Sequence, residues 1–175
     1  MDRIEQASVP LMSSPAISAT SLYDEAGYGE LHLDKQLCLA LQVASSLITK
    51  IYRGLLEPLG LTHPQYLVLI ALWERPGRSS MGDLRRGLCM DTGAVTPLVK
   101  RMEAAGLLRR SRDDADERRV WVDLTEEGWA LRDRVLEVRR GVVDRLPLSA
   151  NEIAAMRSGL QALNAGLLER SPPLR

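Results

Sequence analysis

Apolar residues recur every three to four positions through much of this chain, and the gaps between those runs hold helix caps and breakers. Over 35–56, the set Leu37, Leu41, Ala44, Ile48, Ile51 and Leu55 predicts a long amphipathic helix, with Asp34 as its cap and Pro58 and Gly60 as its stop. Thr62 and Gln65 have capping-box spacing and open a second helix. Its body, 66–73, is almost wholly apolar and predicts burial on most sides. Arg75-Pro76-Gly77 ends it. A short helix carrying Met81, Leu84 and Leu88 then starts at Ser79 or Ser80. Asp91 caps the next, which carries Val95, Leu98, Val99 and Met102 and ends at Gly106. Two short helices joined by a tight turn make a helix-turn-helix.

Past Gly106 the helical period stops. The segments 107–112 and 119–124 read as two short strands around a polar tip, Asp113 to Arg118, so a hairpin wing follows the helix-turn-helix. Thr125 caps a long helix bearing Leu131, Val135, Val138 and Val142, and Pro147 breaks it. Ser149 and Glu152 form a second capping box. The helix they open carries Ile153, Met156, Leu160, Leu163 and Leu167 on one face, and Pro172-Pro173 closes the chain. Residues 1–30 hold Pro10, Pro15 and several serines without a lasting period, and predict an irregular arm. The expected fold is mainly α with a small β-hairpin wing, a winged helix-turn-helix. The stripes of the first and last helices exceed what a slender winged domain covers, which predicts a partner subunit.

Composition narrows the class. The chain has 175 residues, 45% of them hydrophobic and 26% charged, as expected of one globular domain. It has no Phe, and a core of Leu, Val, Ile, Ala and Met suits packed helices. Nothing approaches the roughly 18 consecutive apolar residues of a membrane span, and the N-terminus lacks a signal-peptide pattern. A cytoplasmic location without membrane contact is expected. Two cysteines, Cys38 and Cys89, and two histidines, His32 and His63, are too few for a disulfide framework or a four-ligand zinc site, so neither metal nor cofactor is expected. A lone thiol is usually a small buried hydrophobe, and Cys89, at the turn between the two short helices, reads as a packing residue.

The 23 basic residues balance 23 acidic ones, so net charge selects no partner. Over 78–122, however, ten Lys/Arg face seven Asp/Glu, and most of the basic residues cluster around the helix-turn-helix and wing. A solvated mixed-charge surface would need no more than that. The motif decides for double-stranded DNA. Thr92, Gly93, Thr96 and Pro97 put small side chains and hydroxyls on the first half of the second helix, followed by Lys100 and Arg101. Such a helix sits deep in a major groove and reaches base edges and phosphates. Pro97 removes a backbone donor inside the helix, a local violation of the kind expected at functional sites. Arg118 is placed as a minor-groove probe at the wing tip, with Asp116 two residues earlier to hold it.

The run Asp116-Glu117-Arg118, then Val120, then Leu124-Thr125-Glu126-Glu127-Gly128 resembles the wing signature of the MarR family of bacterial transcriptional regulators. The segment 91–102 resembles that family's recognition helix. Leu33-Asp34-Lys35-Gln36-Leu37-Cys38, Tyr52-Arg53-Gly54-Leu55-Leu56 and Leu61-Thr62-His63-Pro64-Gln65-Tyr66 resemble its organic-hydroperoxide-sensing branch, OhrR. The likeness runs from about 31 to 170. It implies a homodimer built by 31–58 and 126–170, with 62–124 binding a palindromic operator as a winged helix-turn-helix. It also implies that Cys38 is the redox-sensing thiolate, hydrogen-bonded by tyrosines of the partner subunit, with Tyr52 in one such position. Two expected tyrosines are Gln42 and His63 here. Both still donate hydrogen bonds, and a protonated His63 would favour a thiolate more strongly than a phenol does. The resolving cysteine that two-cysteine relatives carry on the helix after the wing is absent.

Cys38 and Tyr52 are fourteen residues apart on one predicted helix, about 21 Å along its axis, so within a straight helix they do not touch. A symmetric dimer brings the cysteine of one chain to the tyrosine of the other. The expected activity is that of a repressor which releases its operator when organic hydroperoxide, alone or with a small thiol, modifies Cys38. A non-redox repressor responding to a small apolar or phenolic ligand is the alternative. An enzyme, a thiol peroxidase using Cys38, lacks an acid–base pair and a resolving cysteine.

Overall fold

The computed structural model describes residues 28–170 except Pro76 and Glu117. Most of the expected arm at 1–30, the closing Pro172-Pro173 and those two single positions lie outside the described residues. The chain divides into two compact units, 1–45 and 46–175. In the first, two short 3-10 turns, Tyr28–Leu31 and Leu33–Lys35, precede the start of α1, Leu37–Leu56. Asp34 sits inside the second turn, so it does not cap α1. Gln36 does the fastening, its side-chain amide donating to the carbonyls of Glu30 at 2.7 Å and His32 at 3.0 Å.

In the second unit the order is the end of α1, α2 (His63–Glu74), β1 (Ser79–Ser80), α3 (Met81–Gly87), α4 (Thr92–Ala104), β2 (Leu108–Arg112), β3 (Val120–Leu124), α5 (Glu126–Ala130), α6 (Arg132–Val143) and α7 (Ala150–Arg170). Local chemistry sets these bounds. Gly60, at φ 66°, supplies the left-handed residue that ends the turn after α1. Gln65 Oε1 accepts the Thr62 N–H at 2.8 Å at the start of α2. Ser80, rather than Ser79, caps α3 in a reciprocal box with Asp83. Asp91 caps α4 by accepting the Ala94 N–H at 2.7 Å. Thr125 caps α5, and Ser149 with Glu152 opens α7.

The strands form one antiparallel sheet in the order β1-β3-β2. Arg110 faces Val122 across the hairpin, and Ser79 faces the same Val122 from the other side. The hairpin agrees with the sequence pattern, but β1 does not appear there. Two residues are too few to show a period of two, and their hydroxyls read as caps. The expected long helix after Thr125 is also interrupted, at Leu131, where no glycine or proline marks a break.

The core gathers Leu56, Leu69, Leu84, Met102, Leu108, Val122 and Val135 from α1, α2, α3, α4, both hairpin strands and α6. Each fully buried aliphatic side chain contributes about 1.5–3 kcal/mol relative to its exposed state. Helix α2 buries Tyr66, Val68, Leu69 and Leu72 but leaves Ile70 exposed, so burial is less complete than its apolar sequence predicts. Helix α7 buries none of its residues. Its Met156 and Leu167 are more than half exposed, and Leu160 and Leu163 join them on the open face.

Candidate nucleic-acid interface and thiol site

Helix α4 sorts its side chains by period. Val95, Leu98, Val99 and Met102 are buried in the core. Thr92, Gly93, Pro97, Lys100 and Arg101 are exposed, and Thr96 is half-buried. The six α4 residues among those expected from the sequence to touch DNA thus lie off the buried stripe, toward solvent. α4 runs through Pro97, on the open side, where the lost donor to the Gly93 carbonyl faces water. The Asp91 cap leaves the other N-terminal amides of α4 with the partial positive charge that favours phosphate.

The wing is built by a carboxylate that the sequence pattern did not single out. Asp113 accepts the main-chain N–H groups of Ala115 and Asp116 on Oδ1, at 2.9 and 3.0 Å, and the Trp121 indole N–H on Oδ2 at 2.6 Å. The indole bond above all, then the two amides, hold its carboxyl below the usual carboxylate range. Asp116 was expected to hold the Arg118 side chain. Its Oδ1 instead accepts the Arg118 main-chain N–H at 3.1 Å, and its carbonyl accepts the Arg119 N–H. The tip is therefore shaped through the backbone, and Arg118 is exposed with no ion pair among the described residues. Two of the clustered cations serve the fold. Arg86 pairs with Asp83 in α3, and Arg110 pairs with Glu103, each at 2.6 Å.

Cys38 belongs to the first unit, in the first turn of α1, and is exposed, as is Gln42 one turn later. In the second unit Tyr52, His63 and Tyr66 form a ring cluster. The Tyr52 ring lies 4.6 Å from that of His63 and 4.9 Å from that of Tyr66, and the two phenol oxygens are 3.4 Å apart. Burial lowers the His63 pKa below its ordinary value, so the ring is neutral at pH 7 and the imidazolium considered from sequence is disfavoured in the protomer. Burial first, then the bond to Tyr52, raises the Tyr66 pKa, so this phenol stays a donor. Tyr66 was read only as part of a motif, and its participation follows from the turn at Gly60 that folds α2 back toward the end of α1.

Cys89 is exposed, not packed. Its backbone takes φ 50° in the turn between α3 and α4, which lifts the side chain off the core, and its thiol lies 3.8 Å from the Arg86 carbonyl. Among the described residues no group of His, Cys, Asp and Glu is arranged to hold a metal ion, and no helix is long and apolar enough to cross a membrane. A crevice of about 580 Å³ lies between α2 and α6, lined by Ile70, Trp73, Leu136 and Val135 with Arg132 and Arg139. The Trp73 indole nitrogen is buried without a hydrogen-bond partner.

The profile of the MarR family matches residues 61–120, which hold the helix-turn-helix and most of the wing. The organic hydroperoxide resistance transcriptional regulator of Bacillus subtilis is 35% identical over 136 residues, covering 78% of this chain and 92% of that protein. The chain belongs to the MarR family. The HTH-type transcriptional regulator TtmR of Methylorubrum extorquens is 39% identical over 152 residues, 79% of this chain and 77% of that protein. AbfR, a Staphylococcus epidermidis protein, in its reduced form bound to DNA superposes with a TM-score of 0.69 at 28% identity, over 80% of this chain and 95% of that one. As a MarR-family member the chain is a DNA-binding transcriptional regulator with a winged helix, and its relatives are regulators rather than enzymes. In MarR terms, α4 is the recognition helix and β2–β3 the wing.

Proposed function

We propose that this MarR-family regulator is a homodimeric repressor that releases a palindromic operator when organic hydroperoxide oxidises Cys38. The observation that carries the reading is the exposed thiol of Cys38 at the start of α1, in the Gln36-Leu37-Cys38 segment that resembles the hydroperoxide-sensing branch. The name of the Bacillus relative points the same way. So does AbfR, solved in reduced, overoxidised and disulfide-formed states. The open apolar faces of α7 and α1, with Leu37 and Leu47 well exposed, support dimerisation through 31–58 and 126–170, leaving 62–124 to DNA.

In the proposed chemistry the Cys38 thiolate attacks one peroxide oxygen. The O–O bond breaks, the sulfur keeps the oxygen as sulfenic acid, and the departing alkoxide takes a proton to become an alcohol. Sulfur loses two electrons and the peroxide gains two. A small thiol then condenses with the sulfenic acid, releasing water and leaving a mixed disulfide. In the dimer Tyr52, His63 and Gln42 of the partner subunit supply donors to the thiolate, and the oxidised group needs different partners. Repacking there alters the spacing of the two recognition helices, and DNA accepts only one half-site spacing. The deciding test is a gel shift on the DNA upstream of the protein's own gene, with and without organic hydroperoxide. Release by the oxidant in the parent and not in Cys38→Ser supports the reading; release in both overturns it.

One observation favours a second reading. The crevice at Ile70, Trp73 and Leu136 combines apolar walls with two arginines and two carboxylates, Glu74 and Asp133. That suits a small apolar or phenolic ligand, with Cys38 inert.

A further inference from the structure

Trp121 projects from β3 on the side opposite the buried Val122. Two guanidinium groups lie over its indole, Arg119 at 5.4 Å and Arg78 at 5.8 Å from the ring centroid. The indole is itself fixed, because its N–H donates to Asp113, which in turn holds the wing-tip amides. Arg78 comes from the segment before β1, and the antiparallel pairing of Ser80 with Trp121 brings it there. Both arginines are exposed, and neither forms an ion pair among the described residues.

The Asp113 carboxylate is stabilised by Arg119 and offsets part of the repulsion between the two cations, which leaves a net positive charge on this exposed face. It is well suited to bind an anion. A guanidinium stacked on an aromatic face keeps its edge donors open, and these match phosphate in a fork geometry. The ring also removes part of the side-chain freedom that binding would otherwise have to quench. We propose that Arg78 and Arg119, held over the Trp121 ring at cation–π distance, form a phosphate clamp that grips the DNA backbone beside the groove entered by the wing tip. Trp121 is a positioning residue for both cations, and Asp113 is the group that sets the indole. The clamp rests on the family's DNA-binding activity and is independent of how the regulator is induced.

The test is the salt dependence of binding, by fluorescence anisotropy, to a duplex of roughly 30 bp with scrambled sequence, which isolates backbone contacts. Each lost phosphate contact lowers the slope of log K against log salt by about 0.9. Arg78→Ala and Arg119→Ala are each expected to lower the slope by about that amount, and the double variant by about twice as much. Trp121→Leu should weaken binding several-fold with both arginines present, while Trp121→Phe, which keeps an aromatic face but loses the N–H to Asp113, restores part of the loss. Arg145→Ala, at the end of α6, should leave the slope unchanged. Both arginines are exposed, so their variants remain folded and informative even where Trp121→Leu does not. A parent that binds the duplex while Arg78→Ala and Arg119→Ala retain its slope overturns the clamp. A parent that binds no duplex at all would overturn the DNA-binding activity itself, and the clamp with it.

Discussion

Arg110 and Glu103 are joined at two points. The Arg110 side-chain Nε lies 2.7 Å from Glu103 Oε2, and its main-chain N–H donates to Oε1 at 3.0 Å. One carboxylate thus fastens β2 to the last turns of the recognition helix, and the wing is held at a fixed angle to it. The Arg110 side chain, first among these contacts, keeps the Glu103 carboxyl below its ordinary range. A depressed carboxyl contributes stability that is fully present above its unfolded value, near 4.5, and is lost as pH falls through the folded value. Glu103→Gln should therefore be less stable than the parent at neutral pH, by about 0.5–1 kcal/mol given the partial exposure. In urea melts, the gap should close as pH falls below about 4.5. A gap that ignores pH would mean that the ion pair adds nothing.

Arg118→Ala is expected to weaken operator binding and to flatten its salt dependence by about one unit, because the arginine is exposed at the wing tip. Asp116→Ala should also weaken binding, since Asp116 holds the Arg118 main-chain N–H in place. The binding site to use is the proposed palindromic operator, whose half-sites are expected about one helical turn apart. Unchanged affinity and slope in both variants would show that the wing tip stays off the DNA.

Gly128 is required where α5 crosses the chain at Leu107, just before β2. A Cβ there would lie 2.1 Å from the Leu107 carbonyl oxygen, which already accepts the Thr125 N–H. Backbone, not a flexible side-chain tip, would have to move. Gly128→Ala should cost about 3 kcal/mol or more and lower the melting temperature by many degrees. A melt within a degree or two of the parent would show that this crossing is loose.

Leu160→Glu with Leu167→Glu should yield a folded monomer. Neither residue is buried in the protomer, so the charges need not disturb the core, but they would be buried in a dimer built on α7. Light scattering reads the mass and circular dichroism the helix content. A persistent dimer with native helix content would move the interface elsewhere.

What was legible in the sequence was the chemistry of helix ends and the two periods. Thr62, Asp91, Thr125 and Ser149 stand at the helix starts that their side chains announced. The buried stripe of α4 left Thr92, Gly93, Pro97, Lys100 and Arg101 facing out, as its period required. Features that depend on contacts distant in sequence were not legible. β1 needs Trp121 and Val122 as partners, and Asp113 gains its role only when Trp121 folds over it. Tyr66 joins Tyr52 across the turn at Gly60. Cys89 was misread because thiols are usually buried, whereas the turn needed a positive φ at that position.

The redox mechanism stands or falls on Cys38. Cys38→Ser preserves size and removes the thiolate, so the variant should bind operator like the parent and ignore organic hydroperoxide. Cys89→Ser should respond like the parent, since the proposed chemistry gives that thiol no part. Tyr52→Phe should bind DNA and respond more slowly, having lost a donor to the partner subunit's thiolate. The neutral His63 bears on the outcome, because a buried imidazole withholds the positive charge that would most strongly favour a thiolate. The neutral imidazole keeps one N–H beside the phenols of Tyr52 and Tyr66, so the cluster offers donors without a positive charge, and Tyr66 is held in its protonated form. Parent and Cys38→Ser releasing DNA identically under oxidant would sink the thiolate sensor and leave the small-ligand reading, with the crevice at Trp73 as its candidate site.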